Sequence, residues 1–488
     1  MSPIVKKLWK LTLWSVIGLL VVLLISFSLL FWRLSSGPIQ LNQFVAGIEQ
    51  AASDLPGGFS IKLESLGLFW DRNEKQIDLR ALNVELVESS GTTLINTPEV
   101  NVSLSVFALM RGVVALSSVE LQDVDIKIVR REDGTFQIFK KTDPGPVDDS
   151  DDKPADFTET ALHIFKVLAS DPDHQAPLSY LKKLYVEGSL ELDDQKTGLN
   201  WDAHAVESLL VGRDGVIKGD LGVSFSSPRV LEAVHTDIAL TVKGDDVSAR
   251  LEFSGIDPAR LADADPRLVA LEDLDMVLGG TVDTELTLPD RVNRLTANIQ
   301  GGAGRVSYQD YFTQPLRVNS LGLQVSADVH GKSLQVSSLD VSIGDEASPL
   351  ILNVSGSAQV LESAVALKLD TGLQQLKVNE FDLYWPKGVA KGARKWLVKN
   401  MKAGTVDNAK LDLAMQVSTE PGAKFQLGEL KGTVAYSDLT VGYFGALPPA
   451  TGVTGYGTFD QRGFDLDVSK GTVNGVSIQP GKVVISGL

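Results

Sequence analysis

Through most of this chain apolar and polar residues alternate with a period of two, and few folds can accept that pattern. Phe59, Ile61 and Leu63 alternate with polar neighbours, as do Ile77 with Leu79, Val84 with Leu86, and Val100, Val102, Leu104 and Val106. The rhythm resumes at Leu184 and Val186 and persists through Val282, Thr284, Leu286 and Leu288, then Leu321, Leu323 and Val325, and Leu339, Val341 and Ile343. Successive side chains on a pleated strand point to opposite faces, so each segment has one apolar face and one wet face. Turn pairs separate the runs: Asp133-Gly134, Asp214-Gly215, Gly244-Asp245, His330-Gly331 and Arg462-Gly463. The prediction is a mostly β, antiparallel-rich protein of about 25–30 strands, with few helices. Paired in sequence into one continuous sheet at ~4.8 Å per strand, they would extend roughly 120–140 Å.

Residues 11–32 break the pattern. They carry no charge and include Leu11, Trp14, Leu20, Leu24, Phe27 and Trp32. At ~1.5 Å per residue they make a helix of about 33 Å, enough to cross a hydrocarbon core of about 30 Å. Lys6, Lys7 and Lys10 precede the segment, which places the N-terminus in the cytoplasm and the bulk of the chain outside. A cleaved signal peptide would have an apolar region of roughly 7–15 residues ending in small side chains. This one is longer and ends in Leu30, Phe31 and Trp32, so the expectation is a retained single-pass transmembrane anchor.

The 488 residues carry a formal charge of −17, which argues against nucleic acid as a partner. There is no cysteine, which removes disulfides, thiol catalysis and thiolate metal sites together. Leu41, Phe44, Val45, Ile48, Ala51 and Ala52 recur at helical spacing just after the anchor. An acidic, proline-bearing stretch from Thr142 to Asp156 reads as a solvated linker. Its Asp148, Asp149, Asp151 and Asp152 lack the spaced ligands and glycine of a calcium loop. Phe157, Ala161, Leu162, Phe165 and Leu168 then mark an amphipathic helix that Asp171-Pro172 ends.

Chemistry-bearing motifs are missing. His163, His174, His204, His235 and His330 are scattered without metal or catalytic spacing. Gly301-Gly302-Ala303-Gly304 leads into Arg305-Val306-Ser307-Tyr308, which reads as strand, so no helix N-terminus follows to hold a phosphate. A bulge or tight turn is expected there. No catalytic, cofactor or metal site is predicted, and the chain is not read as an enzyme.

One basic segment stands out against the acidic background, residues 387–402. Val389, Ala393, Trp396, Leu397 and Met401 can share a helix face, with Lys391, Arg394, Lys395, Lys399 and Lys402 largely around it. Such a helix can cap an exposed sheet with its lysine stems, or rest on anionic lipid headgroups. The two roles are compatible, and Trp385, Arg394, Lys395, Trp396 and Lys399 are its candidate lid or membrane-surface residues.

Several motifs resemble a known family. Residues 105–134, SVFALMRGVVALSSVELQDVDIKIVRREDG, resemble the N-terminal region of AsmA-like envelope proteins, with Arg111-Gly112 closing a small loop. Pro177-Leu178, Leu181, Leu184, Asp193-Asp194, Thr197-Gly198 and Trp201 are similar to the YhdP/DUF3971 branch. So are Tyr384-Trp385-Pro386, Ala393-Arg394, Trp396 and Gly404, and the run Leu447 to Gly455, LPPATGVTG. The resemblance implies a bacterial inner-membrane protein with a periplasmic bulk, whose elongated, curled β-sheet forms a hydrophobic groove for phospholipid passing between the inner and outer membranes. It implies membrane lipids as partners, with envelope proteins as further partners. Members continue well past Leu488, so a C-terminally truncated relative is expected. Val282, Leu286, Leu288, Leu321, Leu323 and Val325 are the candidate groove lining. The expected organisation is 1–35 anchor, 36–141 AsmA-like β region, 142–177 linker and helix, 178–385 central β region, 386–402 basic helix and 403–488 C-terminal β region. A tethered scaffold for outer-membrane assembly, with a filled β core, would show the same alternation.

Overall fold

The computed structural model describes residues 33, 39–46, 49, 59–71, 76–88, 93–113, 115–132, 136–140, 164–173, 177–195, 198–227, 230–259, 262, 269, 271–288, 291–388, 391–418, 425–443 and 447–486. The anchor predicted at 11–32, the acidic linker and the Asp133-Gly134 turn lie outside them. Among the described residues no helix is long and apolar enough to cross a membrane. Twenty-six strands are present among them, within the range the alternation predicts. The chain divides into two compact units, 1–223 and 224–488, so the division falls inside the region expected to be one central β segment.

The first unit holds β1 (Ile39–Gln40), β2 (Phe59–Lys62), β3 (Ser65–Asp71), β4 (Gln76–Glu88), β5 (Thr93–Leu104), β6 (Leu116–Arg130), β7 (Phe136–Lys140), β8 (Lys183–Asp194) and β9 (Leu199–Arg213), and most of β10 (Val216–Ser227). Pairing is antiparallel from β3 through β6, with β2 also on β4. The exception is β8, which lies parallel to β6, with Leu121 opposite Val186 and Ile126 opposite Leu190. Leu63, Leu66, Ala81 and Val100 form a buried cluster onto which Leu41 and Val45 pack. These two come from the predicted membrane-proximal helix, of which residues 42–46 and 49 are described as helical. Asn42 Oδ1 accepts from the Leu66 amide at 3.1 Å, so the turn is stitched to the sheet edge. A short helix α1 (Val106–Leu109) follows β5. Residues 164–169 form the described end of the predicted amphipathic helix, with Leu168 fully buried.

The second unit is a sheet in which each long strand is hydrogen-bonded antiparallel to the long strand before it in sequence. Its order is β11 (Val230–Lys243), β12 (Asp246–Ile256), β14 (Leu278–Thr287), β15 (Arg291–Gly301), β17 (Leu316–Asp328), β18 (Ser333–Ile343), β19 (Leu350–Val360), β20 (Ala364–Lys377), β21 (Met401–Ser418), β22 (Phe425–Val441), β23 (Ala450–Asp460), β24 (Gly463–Val473) and β26 (Gly481–Ser486). The short strands β13 (Leu274–Asp275), β16 (Gly304–Val306) and β25 (Val476–Ser477) extend the ladder locally. Within this unit no pairing joins β11 to β26 among the described residues, so the sheet does not close on itself.

The glycine-rich segment 301–304 is an interruption between β15 and β16, both of which pair with β17. A Cβ at Gly304 would collide with the Asp275 carbonyl and Met276, so the close approach of β13 demands glycine. Two short helices, α2 (Phe381–Tyr384) and α3 (Lys391–Asn400), sit between β20 and β21.

Candidate functional site

The registers of the second unit align apolar residues into rows that run from strand to strand. Leu323 faces Leu339, then Val354, Thr371 and Leu411 in successive strands. Val325 faces Val336, followed by Gly356, Leu369, Leu413 and Leu430. In the other direction Val325 faces Ala297, then Val282 and Leu251, while Leu323 faces Ile299. Leu321 faces Val341, then Leu352, Leu373, Ala409 and Val434. The structure therefore brings Val282, Leu321, Leu323 and Val325 onto one face. Leu286 lies on that face too, between Val247 and Val292, and Leu288 sits just past the end of β14.

The opposite face is polar. Arg250 Nε donates to Asp283 Oδ1 at 2.6 Å, Asn353 Nδ2 to Asp340 Oδ1 at 2.5 Å, and Lys431 Nζ to Glu429 Oε1 at 2.8 Å. These exposed pairs satisfy side chains without drawing anything onto the surface. No group of three or more His, Asp or Glu side chains gathers as a metal site would require among the described residues.

The two sets of strand ends differ. At one, Leu316, Ile343, Leu350, Leu376, Val378, Phe381, Val406 and Tyr436 form a buried core with Leu439, Ala450 and Val453. Val341, Leu373, Ala409 and Val434 of the nearest row pack against it. At the other, Leu334, Val360 and Leu427 are 41%, 44% and 41% exposed, whereas Val378 is 1% exposed. The rows between belong to no core cluster among the described residues, and Leu323, Val325, Leu339, Leu369, Leu411 and Leu413 are half-buried. One apolar face is thus packed shut along one edge and open across the rest.

A line of backbone irregularities separates the two regions. Gln375 and Asp438 adopt positive φ of 62° and 53°. Between β21 and β22 the register slips at Asp407, whose Oδ1 accepts from Ser437 Oγ at 2.8 Å. Gly404, with φ of 105°, packs against the backbone of Asp438 and Leu439 so closely that a Cβ would lie 2.6 Å from both the Asp438 oxygen and the Leu439 Cα. Bulges bend a strand and re-aim its side chains. On β20 the positive φ of Gln375 lets Leu373 and Leu376, three residues apart, serve the same core.

Helices α2 and α3 cover the packed edge. Arg394 is turned into the fold: Nε donates to the Trp385 carbonyl at 3.2 Å, and Nη2 to the Asp382 carbonyl at 3.2 Å and Asp382 Oδ1 at 2.5 Å. Trp385 stacks edge-on against Phe381, ring centroids 6.2 Å apart. Leu397 and Val398 pack on the core, while Lys395, Trp396 and Lys399 face solvent. Of the face expected from sequence, Leu397 and Met401 pack on the core, Met401 as the first residue of β21, whereas Trp396 points outward and Val398 packs in its stead. Desolvation in this core pushes the Tyr436 phenol above its usual range, and Asp467 adds to the shift. Burial does the same to Tyr384, with Glu380 reinforcing it.

Residues 282–488, which hold most of the rows and both helices, match the family described as YhdP protein. That match supports the YhdP branch of AsmA-like proteins, which the motifs at 384–404 and 447–455 resemble. No curated protein and no solved structure matches the chain.

Proposed function

We propose that this protein, whose residues 282–488 match the YhdP family, holds lipid acyl chains on the apolar face of its second unit and supports phospholipid transport between the inner and outer membranes of a bacterial envelope. On this reading residues 11–32 anchor it in the inner membrane, the N-terminus is cytoplasmic and the bulk is periplasmic. The observation that carries the reading is the set of half-buried leucine and valine rows that cross successive strands and belong to no core cluster among the described residues. An acyl chain laid there is drawn from water by about 25 cal/mol per Å² of apolar area. Neighbouring rows offer similar surface, so a chain can shift from one to the next without a deep trap. No bond is made or broken, in keeping with a site built of apolar contacts.

A tethered scaffold with a filled β core is the second reading, and the packed edge around Val378 and Phe381 favours it locally. The open rows favour the first. The test is to isolate the full chain in mild detergent, with a photo-crosslinking residue at Leu323 or, on the polar face, at Gln324. Lipid adducts by mass spectrometry at Leu323 and not at Gln324 are the expected result. Leu323→Asp with Leu413→Asp should abolish lipid recovery, and Leu323→Ile should leave it intact. Equal or absent adducts at both positions would overturn the proposal.

A further inference from the structure

The outward face of α3 carries a feature that the apolar sheet does not use. Lys391, Lys395 and Lys399 stand at successive i, i+4 positions and are all exposed. At ~100° per residue they form one stripe, and Trp396 lies beside it, 36% exposed. The helix bears no acidic residue in its first turn, and none of the three lysines has an ion pair among the described residues. The neighbouring cations are engaged elsewhere: Lys387 Nζ donates to the Gln309 carbonyl at 2.9 Å, Lys402 Nζ to the Val398 carbonyl at 3.2 Å, and Arg394 to Asp382. In a chain of net charge −17, three unpaired ammonium groups in a row beside an exposed indole constitute a local reversal of sign.

We infer that this face of α3 docks on the surface of a bilayer containing anionic lipid. Lysines attract the negative headgroup layer over about a Debye length, and an indole seats its ring at headgroup depth. An acidic protein would satisfy the lysines but gives no reason for the exposed Trp396. The helix is held to the fold by Leu397, Val398 and Arg394 while the three lysines stay exposed, so docking requires no unfolding. It would bring the packed edge of the sheet to the membrane, beside the first open row. The inference concerns a surface distinct from the acyl-chain rows and can fail or hold independently of them.

The chain has no cysteine, and a Cβ at Gly392 meets nothing within 4 Å, so Gly392→Cys provides a single, sterically free labelling site on this face. The full-length protein carrying an environment-sensitive fluorophore there is reconstituted into phosphatidylcholine vesicles with or without phosphatidylglycerol. The expected result is a blue shift, and quenching by spin-labelled lipid, in the anionic vesicles alone. Both should be lost at high salt, in the Lys391→Glu, Lys395→Glu, Lys399→Glu triple variant, and largely in Trp396→Ala. A signal equal in both vesicle types, or unchanged in the triple variant, overturns the inference, as does a response to acidic protein without lipid quenching. Photo-crosslinking at Leu323 in the same samples reads the sheet face separately, so failure of one proposal is distinguishable from failure of the other.

Discussion

Arg394 Nη2 lies 2.5 Å from Asp382 Oδ1 and also reaches the Asp382 carbonyl at 3.2 Å, so one guanidinium ties α3 to α2 through both side chain and backbone. The Arg394 side chain is 18% exposed, which makes these bonds count for more than a surface ion pair. Arg394→Ala should destabilise this edge by about 1–3 kcal/mol, because three acceptors lose one donor. Arg394→Lys should recover little, since an ammonium cannot span the Trp385 and Asp382 carbonyls together. Hydrogen exchange across residues 381–400 is the measurement, with faster exchange expected in both variants.

The packed edge and the open rows should respond oppositely to substitution. Leu376, 6% exposed in the core, should cost about 2–5 kcal/mol as Leu376→Ala. Leu334, 41% exposed on the open side, should cost less than about 1 kcal/mol as Leu334→Ala. Leu334→Asp should still lower lipid recovery. Urea denaturation and lipid mass spectrometry on the same samples separate the two effects.

Gly404 combines a positive φ with a backbone neighbour too close for a methyl group. Gly404→Ala is expected to cost at least about 1–3 kcal/mol, because strain and collision add. Gly302 is exposed, and a methyl group there would meet nothing within 4 Å, so Gly302→Ala should leave the midpoint unchanged. Thermal unfolding of the two variants side by side checks the contrast.

Alkaline pH should loosen the packed edge before the rest of the second unit. Burial raises the phenol of Tyr436 above its usual value of 10.0, with Asp467 adding to the shift. A folded value above the unfolded one means that the neutral phenol stabilises the fold below about pH 10, and that this is lost as pH climbs through the folded value. Tyr436→Phe should flatten the dependence above about pH 10. Its hydrogen bond to the Asp467 carbonyl is long, 3.4 Å, so the loss near neutrality should be small. Urea midpoints at about pH 8 and about pH 11 test the sign.

Much of the sheet is legible in the sequence because alternation fixes faces. Val282, Leu321, Leu323 and Val325 group by parity, and the registers put them on one surface. Parity cannot reveal how far a face is covered, so the difference between Leu334 and Val378 emerges only with the packed core. The bulges at Asp407 and Asp438 and the positive φ of Gln375 are hidden for a related reason: none of the three is a glycine or proline, and nothing local marks them. The parallel pairing of β6 with β8 depends on a crossover that periodicity does not encode. For α3, helical periodicity predicts a basic amphipathic helix and puts Leu397 and Met401 on the packed side, but it puts Trp396 there as well. Ten residues offer Trp396, Leu397 and Val398 as rival anchors, and the bonds of Arg394 to α2 set the rotation that packs the last two on the core.

The strand order of the second unit bears on how the chain reaches its fold. From β11 to β26 each long strand finds its partner in the segment made just before it. A chain emerging N-terminus first can therefore zip strand by strand, closing one loop at a time, the longest being residues 378–400 between β20 and β21. The growing end always presents one unsatisfied edge, and the next segment to emerge is the one that covers it.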